Sequence, residues 1–254
     1  MTTSRLVLIT GASSGVGAAA AKAFCDDGAT VVLVARSLDK LQAVADAVGE
    51  LAVPLPCDAA DPDDVSKMAN QVLATHGCPD VIIHSAGAGQ WKTVQDTTPQ
   101  EAMIMMQAPY FAAFNVTHAF LPAMLARNSG VIISVNTPAC MIAWPSSAGY
   151  AAARSALRGL SDALSQDLVG TGLHACNAIF GKIDSPYFDN NPGVADKLPS
   201  LDRLIPTLST DDCATILMRL AQRPQHTAVF PVMLRPNLLT ARLFPRFARW
   251  LLRF

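Results

Sequence analysis

Leu6-Val7-Leu8-Ile9-Thr10-Gly11-Ala12-Ser13-Ser14-Gly15-Val16-Gly17 is the stretch that decides the fold. Four apolar residues of strand type run into a turn with glycines at 11, 15 and 17, and an alanine-rich helical stretch, Ala18 to Phe24, follows at once. Glycine at these places allows a tight turn, close backbone approach to a phosphate, and close packing of the next helix on the sheet. The unpaired N–H groups of that helix's first turn then face the anion. A glycine triplet alone says little, but one set between a strand and a helix meets the context that a dinucleotide-binding turn requires. Thr10, Gly11, Ser13, Ser14, Gly15, Val16 and Gly17 are therefore expected to cradle a pyrophosphate.

Outward from this turn, short apolar or β-branched runs alternate with longer stretches of helical period. The pattern requires crossover connections, and hence a parallel sheet with helices on both faces. Strands are expected near 5–10, 30–35, 51–56, 80–84, 130–135, 173–179 and 227–231. Helices are expected near 15–27, 38–48, 62–76, 99–107, 110–127, 149–169 and 210–222, with Asp61-Pro62 and Thr98-Pro99 as start signals. The expected architecture is α/β: a single Rossmann domain over residues 1–235, built on a doubly wound seven-stranded parallel sheet. Residues 184–207 hold four prolines and follow a strand's C-terminal end, where a substrate lid is expected. Residues 236–254 are expected to form a basic amphipathic tail.

The 254 residues are 51% hydrophobic and 15% charged, which argues against a disordered or nucleic-acid-coating chain. The net charge is −1, yet residues 235–254 hold five arginines and no acid. If 239–254 are helical, Arg242, Arg246, Arg249 and Arg253 share a narrow face flanked by Leu243, Phe247, Trp250, Leu251 and Phe254. Two readings stand for this tail. One is a peripheral contact with an anionic membrane; the other is packing over the substrate pocket or a dimer partner, since Pro245 disturbs a regular helix. Six cysteines lack any C-x-x-C pair, and His76 and Cys78 are too isolated for a metal site. A reduced, cytoplasmic protein without a metal is the expectation. No apolar run reaches the roughly 18 uncharged residues of a membrane span, and Met1 to Arg5 lead into a strand rather than a signal peptide.

Further motifs stand at the ends of the later strands: Cys57-Asp58, Ser85-Ala86-Gly87 and Phe180-Gly181-Lys182-Ile183-Asp184-Ser185, with Tyr150 opening a long helix. With the T-G-x-x-x-G-x-G turn they make the sequence resemble the classical short-chain dehydrogenase/reductase family, from residue 5 to about residue 232. The resemblance implies an oxidoreductase using a nicotinamide dinucleotide. Asp58 would contact the adenine ring, Ser85, Ala86 and Gly87 would pack behind a ribose, and Ile183 and Ser185 would hold the nicotinamide carboxamide. Homodimers or homotetramers through the helices at 110–127 and 149–169 are also implied. Cofactor choice rests on charge. The second strand ends Val34-Ala35-Arg36, where an acid would accept from the ribose hydroxyls of NAD; Arg36 instead attracts the 2′-phosphate of NADP(H).

In the resembled family a tyrosine moves the substrate's hydroxyl proton while hydride passes between nicotinamide and carbon. A serine steadies the carbonyl, and a lysine four residues after the tyrosine lowers its pKa and holds the ribose. Tyr150 fits the tyrosine. A free phenol titrates at about 10, so acid/base work near neutrality needs a neighbouring cation. One helical turn on, that cation is Arg154, which supplies charge and can fork to ribose hydroxyls but keeps its proton. Thr137, thirteen residues before Tyr150, retains a hydroxyl at the serine position. Pro109 takes the place of the family's helix asparagine. Either it kinks a continuous helix and frees the carbonyl of Met105, or it begins a fresh helix. His84 reads as a hydrogen-bonded core histidine rather than a proton carrier.

Trp91, Trp144, Tyr187 and Phe188 suggest a lipid-, steroid- or polyketide-like substrate, although loop aromatics are as often core plugs. The expected activity is NADP(H)-dependent interconversion of a ketone and a secondary alcohol, with Tyr150 as acid/base, Thr137 as carbonyl donor and Arg154 as anchor. The alternative is a catalytically impaired dinucleotide-binding protein acting as an interaction module.

Overall fold

A computed structural model describes residues 5–87, 89–186, 205–244 and 246. Its strands are β1 (Leu6–Thr10), β2 (Thr30–Ala35), β3 (Ala52–Pro56), β4 (Val81–His84), β5 (Gly130–Asn136), β6 (Leu173–Phe180), β7 (Ile183–Asp184), β8 (Leu208–Ser209) and β9 (Thr227–Phe230). Seven of these pair in parallel in the order β3-β2-β1-β4-β5-β6-β9, and β7 pairs with β8 alone. The main helices are α1 (Gly15–Asp26), α2 (Leu38–Val48), α3 (Pro62–Thr75), α4 (Pro99–Met106), α5 (Ala112–Arg127), α6 (Ala148–Asp167), α7 (Thr210–Gln222) and α8 (Leu234–Leu243). The seven-stranded sheet is the doubly wound Rossmann sheet that the alternation predicts.

Every residue of β1, β4 and β5 is buried, as a parallel sheet covered on both faces demands. Alternate side chains serve the two faces. Val7 and Ile9 pack with Phe24 of α1, Leu41 of α2 and Leu217 of α7, while Leu6 and Leu8 pack with Met68 of α3, Phe120 of α5 and Leu164 of α6. From β1 the chain winds to β2 and β3 on one side, then returns to β4 on the other. The reversal opens a crevice at the C-terminal ends of β1 and β4, the place where this topology binds ligands.

His84, the last residue of β4, is buried, with Nε2 2.9 Å from Thr117 Oγ1, the hydrogen-bonded core histidine that was expected, while its Nδ1 is buried with no partner among the described residues. Burial lowers its pKa to about 4, against about 6.5 in the unfolded chain. Between those values the unfolded chain binds a proton that the folded one refuses. The stability that the neutral ring contributes is thus complete above pH about 6.5 and is lost as the pH falls toward 4, by on the order of 3 kcal/mol. Urea midpoints measured across this window should fall less steeply in His84→Asn than in the parent; equal slopes would remove His84 as the cause.

Two helical expectations are corrected. Pro109 does not begin a fresh helix: α4 runs into α5 through a π turn at Gln107–Phe111, in which the Ala112 N–H donates to the Gln107 carbonyl, and Phe111 is itself helical. Pro109 has no N–H for a carbonyl four residues back, and at that point the helix widens by one residue. The C-terminal helix begins at Leu234 rather than 239, with Pro236 in its first turn where no N–H is needed, and stops at Phe244 (φ −127°, ψ 66°), just before Pro245. The helix therefore does not run unbroken from residue 239 to residue 246. α8 also runs across the expected boundary at 235 and 236, and it buries Leu234 and Leu238 against Ile179 and Val229. Of the expected lid, residues 187–204, including Tyr187 and Phe188, lie outside the described residues, as do tail residues 247–254.

Candidate active site

The glycine turn is built by contact as much as by conformation. Gly11 has φ +68°, and a Cβ there would stand 2.7 Å from the backbone of Ala86. A Cβ at Gly17 would run into the Gly11 carbonyl oxygen. Thr10 joins β1 to the loop after β4, its carbonyl accepting from Ser85 N at 3.2 Å and its hydroxyl from Ala86 N at 3.4 Å. Thr10 and Gly17 thus brace the turn from behind. α1 begins with no side-chain cap from Ser14 and no acid in its first turn, leaving its first N–H groups to an anion.

In front of the turn lies a cavity of about 1070 Å³, the upper end of the range for small-molecule and cofactor pockets. Its walls bring together Gly11, Ser13, Ser14, Gly15 and Val16 from the turn, Arg36 after β2, Asp58 after β3, and Ser85, Ala86 and Gly87 after β4. Ile183 and Ser185 contribute from beyond β6, and Thr137, Tyr150 and Arg154 complete it. Lys40, four residues after Arg36 on α2, lines the same wall and was not foreseen, although the i,i+4 spacing was legible. Asp58 Oδ1 accepts from Ala60 N at 3.0 Å, and Asn115 on α5 donates to the carbonyls of Ala59 and Ala60 at 3.2 and 3.1 Å. Asn115 is thus a positioning residue for the loop around Asp58. Burial pushes the Cys57 thiol in this wall up to about 12, so it stays protonated.

Tyr150 lies in the first turn of α6, buried, with its ring centroid 5.6 Å from that of Trp91; Trp91 lies 5.2 Å from Trp144. Trp91 is thus a core plug that also faces the cavity. Arg154 Nη1 donates to the Val135 carbonyl at 3.0 Å, and its guanidinium carbon stands 5.3 Å from the Tyr150 ring centroid. The guanidinium packs on Gly87, where any Cβ would collide with it. Its Nε is buried with no partner among the described residues, a donor left over at the cavity wall. Asn136 is the other residue that sequence reasoning passed over. Its amide nitrogen donates to the Arg154 carbonyl and to Asn177 Oδ1, both at 3.2 Å, and its Oδ1 accepts from Thr137 N at 2.9 Å. A buried asparagine ending an apolar strand was the available signal. Among the described residues, no three His, Cys, Asp or Glu side chains gather as a metal site.

A doubly wound sheet whose switch point opens on a cavity lined by the glycine turn and by Tyr150 and Arg154 of α6 defines a Rossmann-type domain. The sequence model of the short chain dehydrogenase family matches residues 5–192, and the chain belongs to that family of oxidoreductases. It is 34% identical over 205 residues to an uncharacterized oxidoreductase of Mycobacterium tuberculosis, an alignment covering 78% of this chain and 60% of that one. The chain therefore spans about 60% of the length of the mycobacterial relatives it matches. An uncharacterized oxidoreductase of Staphylococcus aureus is 28% identical over 236 residues, 92% of this chain and 98% of the relative. In fold it is similar to a short-chain dehydrogenase from Streptomyces avermitilis (TM-score 0.84, 23% identity, 96% and 94% coverage). It is also similar to a metagenomic short-chain oxidoreductase in complex with NADP (TM-score 0.74, 27% identity, 90% and 96% coverage).

Proposed function

We propose that this protein is an NADP(H)-dependent oxidoreductase that interconverts a ketone and a secondary alcohol on an apolar substrate. The observation that carries the reading is the single cavity on which the glycine turn, Arg36, Thr137, Tyr150 and Arg154 converge. The uncapped start of α1 suits a pyrophosphate, Arg36 with Lys40 suits a 2′-phosphate, and Arg154's leftover Nε–H suits a ribose oxygen. Asp58, Ser85, Ala86, Gly87, Ile183 and Ser185 take the adenine, ribose and carboxamide contacts that the family implies.

The bound dinucleotide supplies the hydride for reduction and accepts it in oxidation. In the reducing direction Thr137 donates a hydrogen bond to the substrate carbonyl oxygen, and the Tyr150 phenol gives that oxygen its proton. The Arg154 cation over the ring stabilises the phenolate left behind. Arginine keeps its own proton, so solvent rather than position 154 returns one to Tyr150. Apolar walls from Trp91, Trp144, Ile142 and Ile205 favour a hydrophobic substrate. Exposed Phe111 in the π turn and Phe114 on α5 support a homodimer or homotetramer through that face.

Purified protein with NADPH and a panel of hydrophobic ketones should oxidise NADPH, read at 340 nm. NADPH binding without turnover on any ketone would favour the second reading, an impaired binding module, which Arg154 in place of lysine and Pro109 in place of asparagine recommend. Arg36→Asp should weaken NADPH at least about tenfold relative to NADH by exchanging attraction for repulsion at the 2′-phosphate. Tenfold tighter binding of NADH than NADPH by the parent would reject the NADP(H) assignment.

A further inference from the structure

α8 is apolar on two sides. Its inner side buries Leu234 and Leu238 against Ile179 and Val229, and both leucines, with Asn237 and Ala241, line the cavity. Its outer side and flanks expose Val232 (54%), Met233 (49%), Leu239 (57%), Leu243 (62%) and Phe244 (62%). An ordinary surface helix turns polar residues outward, and so many large apolar groups in one short segment mark an interaction surface. Along the sequence here the charge is of one sign. From Cys213 to Phe254 the sequence holds seven arginines and no aspartate or glutamate, and Arg235 on α8 and Arg246 just after it are exposed.

Apolar side chains bordered by arginines match the interface of an anionic bilayer, where the former enter the acyl boundary and the latter meet lipid phosphates. A second copy of this chain fits less well, because a two-fold contact through α8 sets arginines against arginines. The ten residues of α8 reach about 15 Å, half of a bilayer's hydrocarbon thickness, so the helix lies along such a surface. We propose that α8 docks this protein on an anionic lipid bilayer, and that the cavity behind it takes an apolar carbonyl or alcohol resident in that bilayer. The substrate clause rests on the proposed oxidoreductase function; the docking does not.

Co-sedimentation with vesicles tests the docking without cofactor or turnover. The full chain should bind vesicles containing about 30% phosphatidylglycerol at least tenfold more tightly than phosphatidylcholine alone, and lose that preference in high salt. Leu239→Glu with Leu243→Glu should weaken binding roughly tenfold while circular dichroism and NADPH fluorescence titration stay unchanged. Three results overturn the docking: no binding to anionic vesicles, equal binding by parent and variant, or sedimentation velocity showing that the substitutions convert a dimer to a monomer. For the substrate clause, the variant should raise KM for a vesicle-borne ketone and leave that for a water-soluble ketone unaltered; equal KM changes overturn it. Failure to turn over any ketone would strike the proposed function and leave the vesicle result standing.

Discussion

Tyr150→Phe is expected to lower turnover of NADPH with an apolar ketone by about 10²- to 10⁴-fold while leaving NADPH affinity within about twofold. The substitution removes one oxygen and keeps the ring, which packs 5.6 Å from Trp91 and 5.3 Å from the Arg154 guanidinium carbon. The cavity wall and the cation above it therefore remain. What disappears is the proposed proton donor for the carbonyl oxygen. Steady-state rates at 340 nm with a parallel fluorescence titration separate the two effects. A variant that retains the parent's rate would take general acid/base catalysis away from Tyr150, and one that loses both rate and binding would point to damaged packing.

The second large effect is expected at Gly17→Ala. Its new Cβ meets the carbonyl oxygen of Gly11, and both atoms belong to backbone, so the α1 start and the turn must separate. Overpacking of this kind costs about 3 kcal/mol, which in a chain of this length lowers Tm by roughly 5–10 °C. NADPH affinity should fall with it, since the N–H groups of α1 are displaced. Gly15→Ala makes the contrast. Its Cβ finds only Ser185 Cβ at 3.8 Å, although φ is +55°, so the stability loss should stay near the 1–2 kcal/mol of a left-handed residue. Thermal unfolding of both variants checks the order; a Gly15→Ala protein less stable than Gly17→Ala would overturn this account of the turn.

The fold was legible because its signals are local. The periodicity of Leu6 to Ile9 and of Val131 to Val135, and the proline-marked starts at Pro62 and Pro99, act within a few residues, and the principal strands and helices lie within two residues of their expected bounds. The candidate site residues come from spaced motifs at strand ends, and this topology brings most of them to the wall of one cavity. What escaped depends on partners distant in sequence or on competing local rules. Asn136 matters through Arg154 and Asn177, and Asn115 through the carbonyls of residues 59 and 60, contacts that no spacing announces. Pro109 sits in a helix because flanking turns on both sides outweigh one missing N–H. α8 starts early because Leu234 and Leu238 find a core at Ile179 and Val229.

The bare start of α1 has a consequence in mass action. Ser37, Asp61, Thr98 and Ser209 each accept a backbone N–H at the head of α2, α3, α4 and α7, whereas Ser14 does not do so for α1. The omitted cap leaves a favourable interaction to be made by whatever anion occupies the turn. A ligand at one hundred times its Kd adds about 2.7 kcal/mol to folding. Resistance of this chain to unfolding and proteolysis should therefore rise and fall with the supply of a ligand bound at that turn.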